Sequence, residues 1–249
     1  MAFDAGMLAA SVHEIKTYAV PGRVEKVLQP TRDEIVLAIH GEKKNTRLSI
    51  SASTNTPRIN LTDEVKENPA VPPMFCMLLR KHLAGAKLTD ICQLSFERAA
   101  MLTFDARDEL GYRCEKYIIA ETMGKYSNII LLGPDRKIIS ALRIIDFSAS
   151  LKRQIIPGMT YELPPSGGRL NPLTVTESEF SALISSVSPD SKADKFIVFQ
   201  LGRYVILGRG LIYKKSPRIF PCHLLDTVDI FRFNVSVEIS NGNRITFIT

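Results

Sequence analysis

The sequence predicts an α+β fold in which two antiparallel β meanders, accompanied by two helices, are followed by a smaller mixed segment. Three observations support this prediction. Short runs of alternating apolar and polar residues are separated by turn-forming residues, a pattern typical of antiparallel strands with tight connections. Two other segments carry apolar residues at helical spacing. The segment IIPGMTYELPPSGG, residues 155–168, cannot extend a strand or helix and ends the strand-rich part of the chain.

The first helix is predicted over residues 4–18. Leu8, Val12 and Ile15 are spaced by four and three residues, so they form one apolar stripe. Asp4 stands at the position of an N-cap, where its side chain can accept a hydrogen bond from a free backbone N–H group. A Pro-Gly pair ends the segment.

The first meander consists of four β-like runs. They read RVEKVLQ, EIVLAIH, TRLSISA and RINLT, and the turn segments PTRD, GEKKN and STNTP separate them. A second helix is predicted from about residue 74 to residue 83, between the proline-rich stretch NPAVPP and Gly85. Cys76 lies in this helix and is interpreted as a small buried hydrophobe.

The second meander consists of five runs, which read KLTDICQLS, FERAAMLTF, EKYIIAETM, SNIILLG and RKIISALRI. In the stretch QLSFERAAMLTF, residues 93–104, a period of two puts Arg98 on the same face as Ala100 and Phe104, and Glu97 on the other. Both faces are mostly apolar, and a buried charge costs several kcal/mol unless it is paired. From the pattern alone, charges at a strand end are the plainer interpretation, and a functional reason for these two charges is the alternative.

We place the domain boundary in the proline-rich and glycine-rich segment. Residues 1–166 form one predicted domain, and residues 170–249 form a small, partly helical segment. In this segment Thr176 and Glu179 have the spacing of a capping box, and the pair Asn241-Gly242 favours a hairpin turn. The glycines of DKFIVFQLGRYVILGRGLIYKK fit a helix-hairpin-helix arrangement.

Composition narrows the class of protein. The 249 residues contain no apolar run of about 18, and an acidic residue lies where a secretion signal would carry basic ones, so we expect a cytoplasmic protein without a membrane segment. Four cysteines and four histidines lack the spacing of zinc ligands. We therefore expect no metal or other cofactor.

The excess of positive charge lies in one segment. Residues 195–225 contain six cations and no acid, and the rest of the chain is balanced, so the net charge of +6 comes from this segment. It predicts a surface that contacts RNA phosphates without regard to sequence. The predicted contacts are Arg203, Arg209, Lys214 and Lys215. The aromatic residues among them are interpreted more simply as core.

Five motifs in order resemble the NFACT N-terminal domain, a family also labelled fibronectin-binding protein A in bacteria. They read MAFDAGML, PPMFCMLLRKHL, SFERAAMLTFDARDELG, MGKYSNIILL and RQIIPGMTYELPP. The resemblance implies an N-terminal fold similar to the sandwich of formamidopyrimidine-DNA glycosylases. It also implies a factor that binds stalled large ribosomal subunits and recruits tRNA, with alanine tRNA implied, for template-free alanine tailing of nascent chains.

The resemblance also implies site residues. Family members carry an acid followed by arginine, implicated in tail synthesis, where this chain has Glu97 and Arg98, and an N-terminal aspartate that matches Asp4. Glutamate replaces the usual aspartate, which displaces the carboxylate by one methylene. The hairpin connection MGKYSN offers further phosphate contacts. These are Lys125, Ser127 and Asn128.

The sequence bears on two other functions. Glycosylases of the formamidopyrimidine-DNA type use an N-terminal proline amine as nucleophile, but Ala2 and Phe3 stand at that place, so we expect no enzyme activity. An adhesin that binds fibronectin or fibrinogen needs export, for which the sequence shows no signal. The relatives continue into a coiled coil and a C-terminal RNA-binding domain, neither of which this sequence contains, so we expect a fragment or a shortened form.

Overall fold

The computed structural model describes residues 3–41, 44–95, 97–150 and 153–165, and in the rest of the chain residues 176, 178–179, 182, 236–240 and 244–248. The chain divides into two compact units, Met1–Pro164 and Pro165–Thr249. In the first unit the helices are α1 (Ala5–Ala19) and α2 (Met74–Leu83). The strands are β1 (Gly22–Thr31), β2 (Glu34–Gly41), β3 (Asn45–Ser51), β4 (Arg58–Leu61), β5 (Lys87–Gln93), β6 (Ala99–Arg107), β7 (Arg113–Glu121), β8 (Asn128–Leu132) and β9 (Ile138–Ala141).

These strands form one antiparallel sheet in the order β4-β3-β2-β1-β5-β6-β7-β8-β9. The predicted α+β class, with two meanders and two helices, is confirmed. What the local patterns did not predict is the junction, where β1 pairs with β5 at the edges of the two meanders. The junction consists of two residue pairs, Gly22 with Leu88 and Arg23 with Lys87.

One face of the sheet and both helices share a single core. Leu8 and Ile15 of α1, and Leu79 of α2, are fully buried against residues of both meanders, such as Leu37 of β2 and Phe104 of β6. Burying one such side chain stabilises the fold by about 1.5–3 kcal/mol relative to exposure. Cys76 is buried in the same core, as predicted.

A second, smaller core covers the opposite face of β7 and β8. Tyr117 and Ile119 of β7 pack there with Ile130 of β8 and with Ile155 of the segment that follows the sheet. Strands β7 and β8 are therefore buried on both faces near their common connection. This burial holds the β7–β8 connection in position.

The meanders are also joined at their far ends. Arg143, just after β9, donates from Nη2 to Asp33 Oδ1 in the β1–β2 turn at 2.9 Å, and from Nη1 to the Ser127 carbonyl at 2.7 Å. Both side chains of this ion pair are about two-thirds buried. The pair links a turn of the first meander to the β7–β8 connection of the second.

Two predictions for the second unit are confirmed. Thr176 N–H donates to the Glu179 carboxylate at 2.8 Å and Glu179 N–H donates to the Thr176 hydroxyl at 3.3 Å, which are the two reciprocal bonds of the capping box. Hydrogen bonds from the backbone N–H and the hydroxyl of Thr176 hold the pKa of Glu179 below its usual value. Strands β10 (Ser236–Ser240) and β11 (Arg244–Ile248) form an antiparallel hairpin. The predicted turn residues Asn241 and Gly242 lie outside the described residues.

Candidate functional site

The prediction that Glu97 and Arg98 lie in a strand buried on both faces is wrong. Strand β6 begins at Ala99, and both residues lie half-buried in the connection from β5. The chain reverses there, because Leu94 N–H donates to the Ala99 carbonyl and Glu97 N–H to the Leu94 carbonyl, both at 2.8 Å. The alternation of apolar residues in the sequence continues through this turn. The turn keeps the charges of Glu97 and Arg98 out of the interior of the sheet.

Two polar side chains hold this connection in place. Gln93 Nε2 donates to the carbonyls of Ala5 at 3.0 Å and Glu97 at 2.8 Å, so one amide joins the first turn of α1 to the connection. Thr122 donates to the Arg98 carbonyl from its backbone N–H at 2.8 Å and from its hydroxyl at 3.1 Å. The connection is therefore fastened between the start of α1 and the end of β7.

Asp4 is the N-cap of α1, as predicted. Its carboxylate accepts a hydrogen bond from Met7 N–H at 2.9 Å, which satisfies one free donor of the helix end. Since Gln93 binds the carbonyl of the next residue, Asp4 lies beside the 94–98 connection. A role for Asp4 in RNA contact stays a prediction.

The 94–98 connection carries a carboxylate and a guanidinium on adjacent residues. In the part of the chain that the structure describes, the Glu97 carboxylate has no hydrogen-bond or ion-pair partner. Its oxygens can accept hydrogen bonds from hydroxyl or amino groups of a ligand. Arg98 adds a planar fork of donors that suits phosphate. Together they can bind a ligand that presents both donors and negative oxygens.

The β7–β8 connection presents a cation and an aromatic ring. Residues Gly124–Tyr126 form one turn of 3-10 helix, which Gly124 enters with a φ of 62°. Lys125 is exposed, and its Nζ lies 4.9 Å from the centroid of the Tyr126 ring, which is 65% exposed. Lys125 is thus available to a phosphate. Tyr126 was not predicted as a site residue, although an aromatic beside a lysine in a turn indicates a stacking platform.

The phosphate contacts predicted for Ser127 and Asn128 are contradicted by their burial, since each is 1% exposed. The Asn128 amide donates to the Arg143 carbonyl at 2.7 Å, and its oxygen accepts from the backbone N–H groups of Ile129 at 2.9 Å and Arg143 at 3.0 Å. Asn128 therefore serves the fold. Arg143 directly follows β9, the strand paired with β8, so this contact lies within the β8–β9 hairpin.

Sequence reasoning also missed a buried ion pair next to the site. Glu121, whose side chain is 0% exposed, accepts hydrogen bonds from Arg153 Nη1 at 3.2 Å and Nη2 at 2.6 Å. Tyr161 donates its hydroxyl to the same carboxylate at 2.8 Å. Glu121 stands opposite Ala99 in the sheet, so this cluster anchors the segment after the sheet directly behind the 94–98 connection.

Tyr161 stays protonated in this cluster. Burial, together with the charge and hydrogen bond of Glu121, raises the pKa of Tyr161 well above its usual value, so Tyr161 acts as a neutral donor. Arg153 also donates to the Glu162 carbonyl at 2.9 Å. A signal was available, because Glu121 follows Tyr117 and Ile119 on one face of the strand, where a buried acid needs a partner.

The remaining predicted contacts, Arg203, Arg209, Lys214 and Lys215, lie outside the described residues. Within the described ranges, no cluster of histidine, cysteine, aspartate and glutamate has the geometry to hold a metal ion. The helices found in those ranges are too short or too polar to cross a membrane.

Comparisons with known proteins agree with one another. A family profile described as NFACT N-terminal and middle domains matches residues 4–203. The Rqc2 homolog RqcH of Streptococcus pneumoniae strain D39 is 35% identical over 204 residues, which are 82% of this chain and 37% of that protein. RqcH of Bacillus subtilis strain 168 is 33% identical over 199 residues, 80% of this chain and 35% of that protein. This chain thus spans little more than a third of the length of these relatives.

A solved structure is also similar to this chain. The N-terminal part of the fibronectin/fibrinogen-binding protein from Streptococcus suis is similar to this chain with a TM-score of 0.77 and 35% sequence identity. The similarity covers 93% of this chain and 83% of that one. The α+β architecture described above is therefore shared with an experimentally determined fold.

Proposed function

Because the chain belongs to the NFACT N-terminal and middle domain family, we propose that it forms part of a ribosome-associated quality-control factor. In this role it binds large ribosomal subunits that hold a stalled nascent chain, and it recruits tRNA, alanine tRNA in particular, for template-free addition of alanine. It works in the cytoplasm, where ribosomes are. Its contribution is to bind and position RNA, and it supplies no catalytic group of its own.

The observation that carries the proposal is the convergence of charged groups at one end of the sheet. The N-cap of α1, the Glu97-Arg98 pair and the connection that bears Lys125 are joined by the side chains of Gln93 and Thr122. They come from three separate parts of the chain. The antiparallel meander places the β5–β6 and β7–β8 connections at the same end of the sheet, so an acid, an arginine and a lysine lie on one surface that a ligand can contact together.

The expected roles follow from the chemistry of RNA. Arg98 binds a phosphate or a base edge through its fork, and Glu97 accepts a hydrogen bond from a 2′-hydroxyl or an exocyclic amine. Lys125 contacts the backbone, and a base can stack on Tyr126. The 2′-hydroxyl contact distinguishes RNA from DNA at this site.

The test is to capture the tagged chain from cell lysate and sequence the RNA that accompanies it. We expect large-subunit rRNA and tRNA to be enriched with the wild type, and the Arg98→Ala variant to lose roughly ten- to a hundredfold of its tRNA. This range corresponds to about 1.5–3 kcal/mol for hydrogen bonds to a charged group. The melting temperature should change by a few degrees at most, since Arg98 lies in a connection.

The matched control is Arg113→Ala, which removes an exposed arginine that is bound to Asp105 and lies away from the site. It should retain the RNA of the wild type. Equal losses in the two variants would show that total charge, and not this site, governs binding. Unfolding of Arg98→Ala together with normal activity of Glu97→Asp would show that the pair is structural.

A second candidate is binding to an extracellular-matrix protein, which the name of the Streptococcus suis relative suggests. A basic chain, with a pI of about 9.1, also attracts acidic proteins nonspecifically. Binding to immobilised fibronectin that survives high salt would favour this candidate. Binding that disappears as salt rises would identify it as electrostatic attraction.

A further inference from the structure

A groove of about 400 Å³ lies where the two meanders join, at the ends of β1, β2 and β5. Its charged lining consists of Arg23 of β1, His40 of β2 and Lys87 of β5, and the other lining residues are three glycines and a proline. The groove is distinct from the site described above, which is built on the β5–β6 and β7–β8 connections. Its three charged or titratable side chains are all basic.

The three basic residues form one row across three strands. Arg23 stands directly opposite His40 on one side and Lys87 on the other. Neighbouring strands lie about 4.8 Å apart, so the row spans about 10 Å. Like charges directly opposite each other destabilise a sheet. The pairing of Arg23 with Lys87 is therefore unfavourable unless negative charge is brought to it.

The protein supplies little of that charge. Among the described residues, the side chains of Arg23 and Lys87 have no hydrogen-bond or ion-pair partner. Glu25 approaches only His40, at 3.9 Å. Asp105, which stands opposite Lys87 on β6, accepts two hydrogen bonds from Arg113. The hydrogen bond from Arg113 lowers the pKa of Asp105 most and the charge of Lys87 contributes, but among the described residues no acid forms an ion pair with Arg23 or Lys87.

We propose that this groove binds successive phosphates of an RNA strand, a second contact that rests on the RNA-binding function proposed above. A row of about 10 Å is longer than one phosphate group, so a regularly charged strand fits it better than a free phosphate. An acidic polypeptide fits less well, because the proline is the only apolar side chain lining the groove. Contact with the backbone alone makes the binding independent of sequence.

The test measures binding of a fluorescently labelled oligouridylate to the whole chain over a range of salt concentrations. The groove variant is Arg23→Gln with Lys87→Gln. The control, Lys81→Gln with Lys137→Gln, removes two exposed cations that are each paired with an acid elsewhere. Each lost phosphate contact reduces the log-log salt slope by about 0.7 for a single strand. We expect a decrease of about 1.4 for the groove variant and almost none for the control.

Stability gives an independent readout. Removing a like-charge pair should leave the melting temperature of the groove variant unchanged or higher, and a clear decrease would show that the pair is structural and overturn the proposal. Equal salt slopes in the two variants would also overturn the proposal for the groove. In that case, RNA binding by the wild type would still support the general RNA-binding function. If the wild type bound polyglutamate but no RNA, both this proposal and the RNA-binding function would fail.

Discussion

Replacing Arg153 with alanine is expected to lower the free energy of unfolding by about 3–5 kcal/mol. The reason is that the variant leaves the Glu121 carboxylate buried without its counter-charge and without two of its hydrogen bonds. Tyr161 still donates to Glu121, but a neutral hydroxyl cannot replace a guanidinium. Equilibrium unfolding in urea, monitored by circular dichroism, measures the effect.

The control variants separate the burial of a charge from the loss of contacts. Glu121→Gln combined with Arg153→Met removes both charges while keeping an acceptor for Tyr161, and it should recover most of the lost stability. Lys81→Ala, which breaks an exposed pair with Glu109, should cost less than about 1 kcal/mol. A loss in Arg153→Ala as small as that in Lys81→Ala would contradict the buried ion pair.

Replacing Asn128 with alanine should lower the free energy of unfolding by about 2–4 kcal/mol. The change removes three hydrogen bonds and leaves the backbone N–H and carbonyl of Arg143 without partners. Affinity for RNA, measured on the folded fraction, should remain that of the wild type, because the side chain is buried. Thermal unfolding and titration with labelled tRNA check the two expectations separately.

The neighbouring serine provides the contrast. Ser127 is equally buried, but its hydroxyl has no hydrogen-bond partner among the described residues. Ser127→Ala removes an unsatisfied polar group and should be neutral or stabilising by about 1 kcal/mol. A stable Asn128→Ala that bound tRNA weakly would return Asn128 to the site. A destabilised Ser127→Ala would show that its hydroxyl has a partner.

The parts of the fold that could be predicted are those encoded within one segment. Helix α1 combines an N-cap with an apolar stripe, and the capping box at Thr176 needs only two residues at the right spacing. Each meander joins strands that are neighbours in sequence, so short connectors suffice to indicate antiparallel pairing. Residue propensity and residue spacing determine structure within one segment, and for these elements the predictions agree with the structure.

The rest depends on partners that are distant in sequence. The pairing of β1 with β5 and the ion pair of Asp33 with Arg143 have no local signal. The start of β6 was misplaced for a different reason, because the alternation of apolar residues does not stop where the chain turns. In the candidate site, the sequence drew attention to the charges of Glu97 and Arg98, but only the structure shows that a turn holds them.

The narrow junction between the meanders also determines how the sheet is assembled in time. Hairpins within each meander close short loops, whereas the ion pair of Asp33 with Arg143 joins residues 110 positions apart. Loop-closure entropy rises with loop length, so the local hairpins form at lower entropic cost and the joining of the halves comes later. Pulsed hydrogen exchange during refolding reports this order through the amides of the two meanders. We therefore expect the two meanders to form first and to pair afterwards, which completes the shared core.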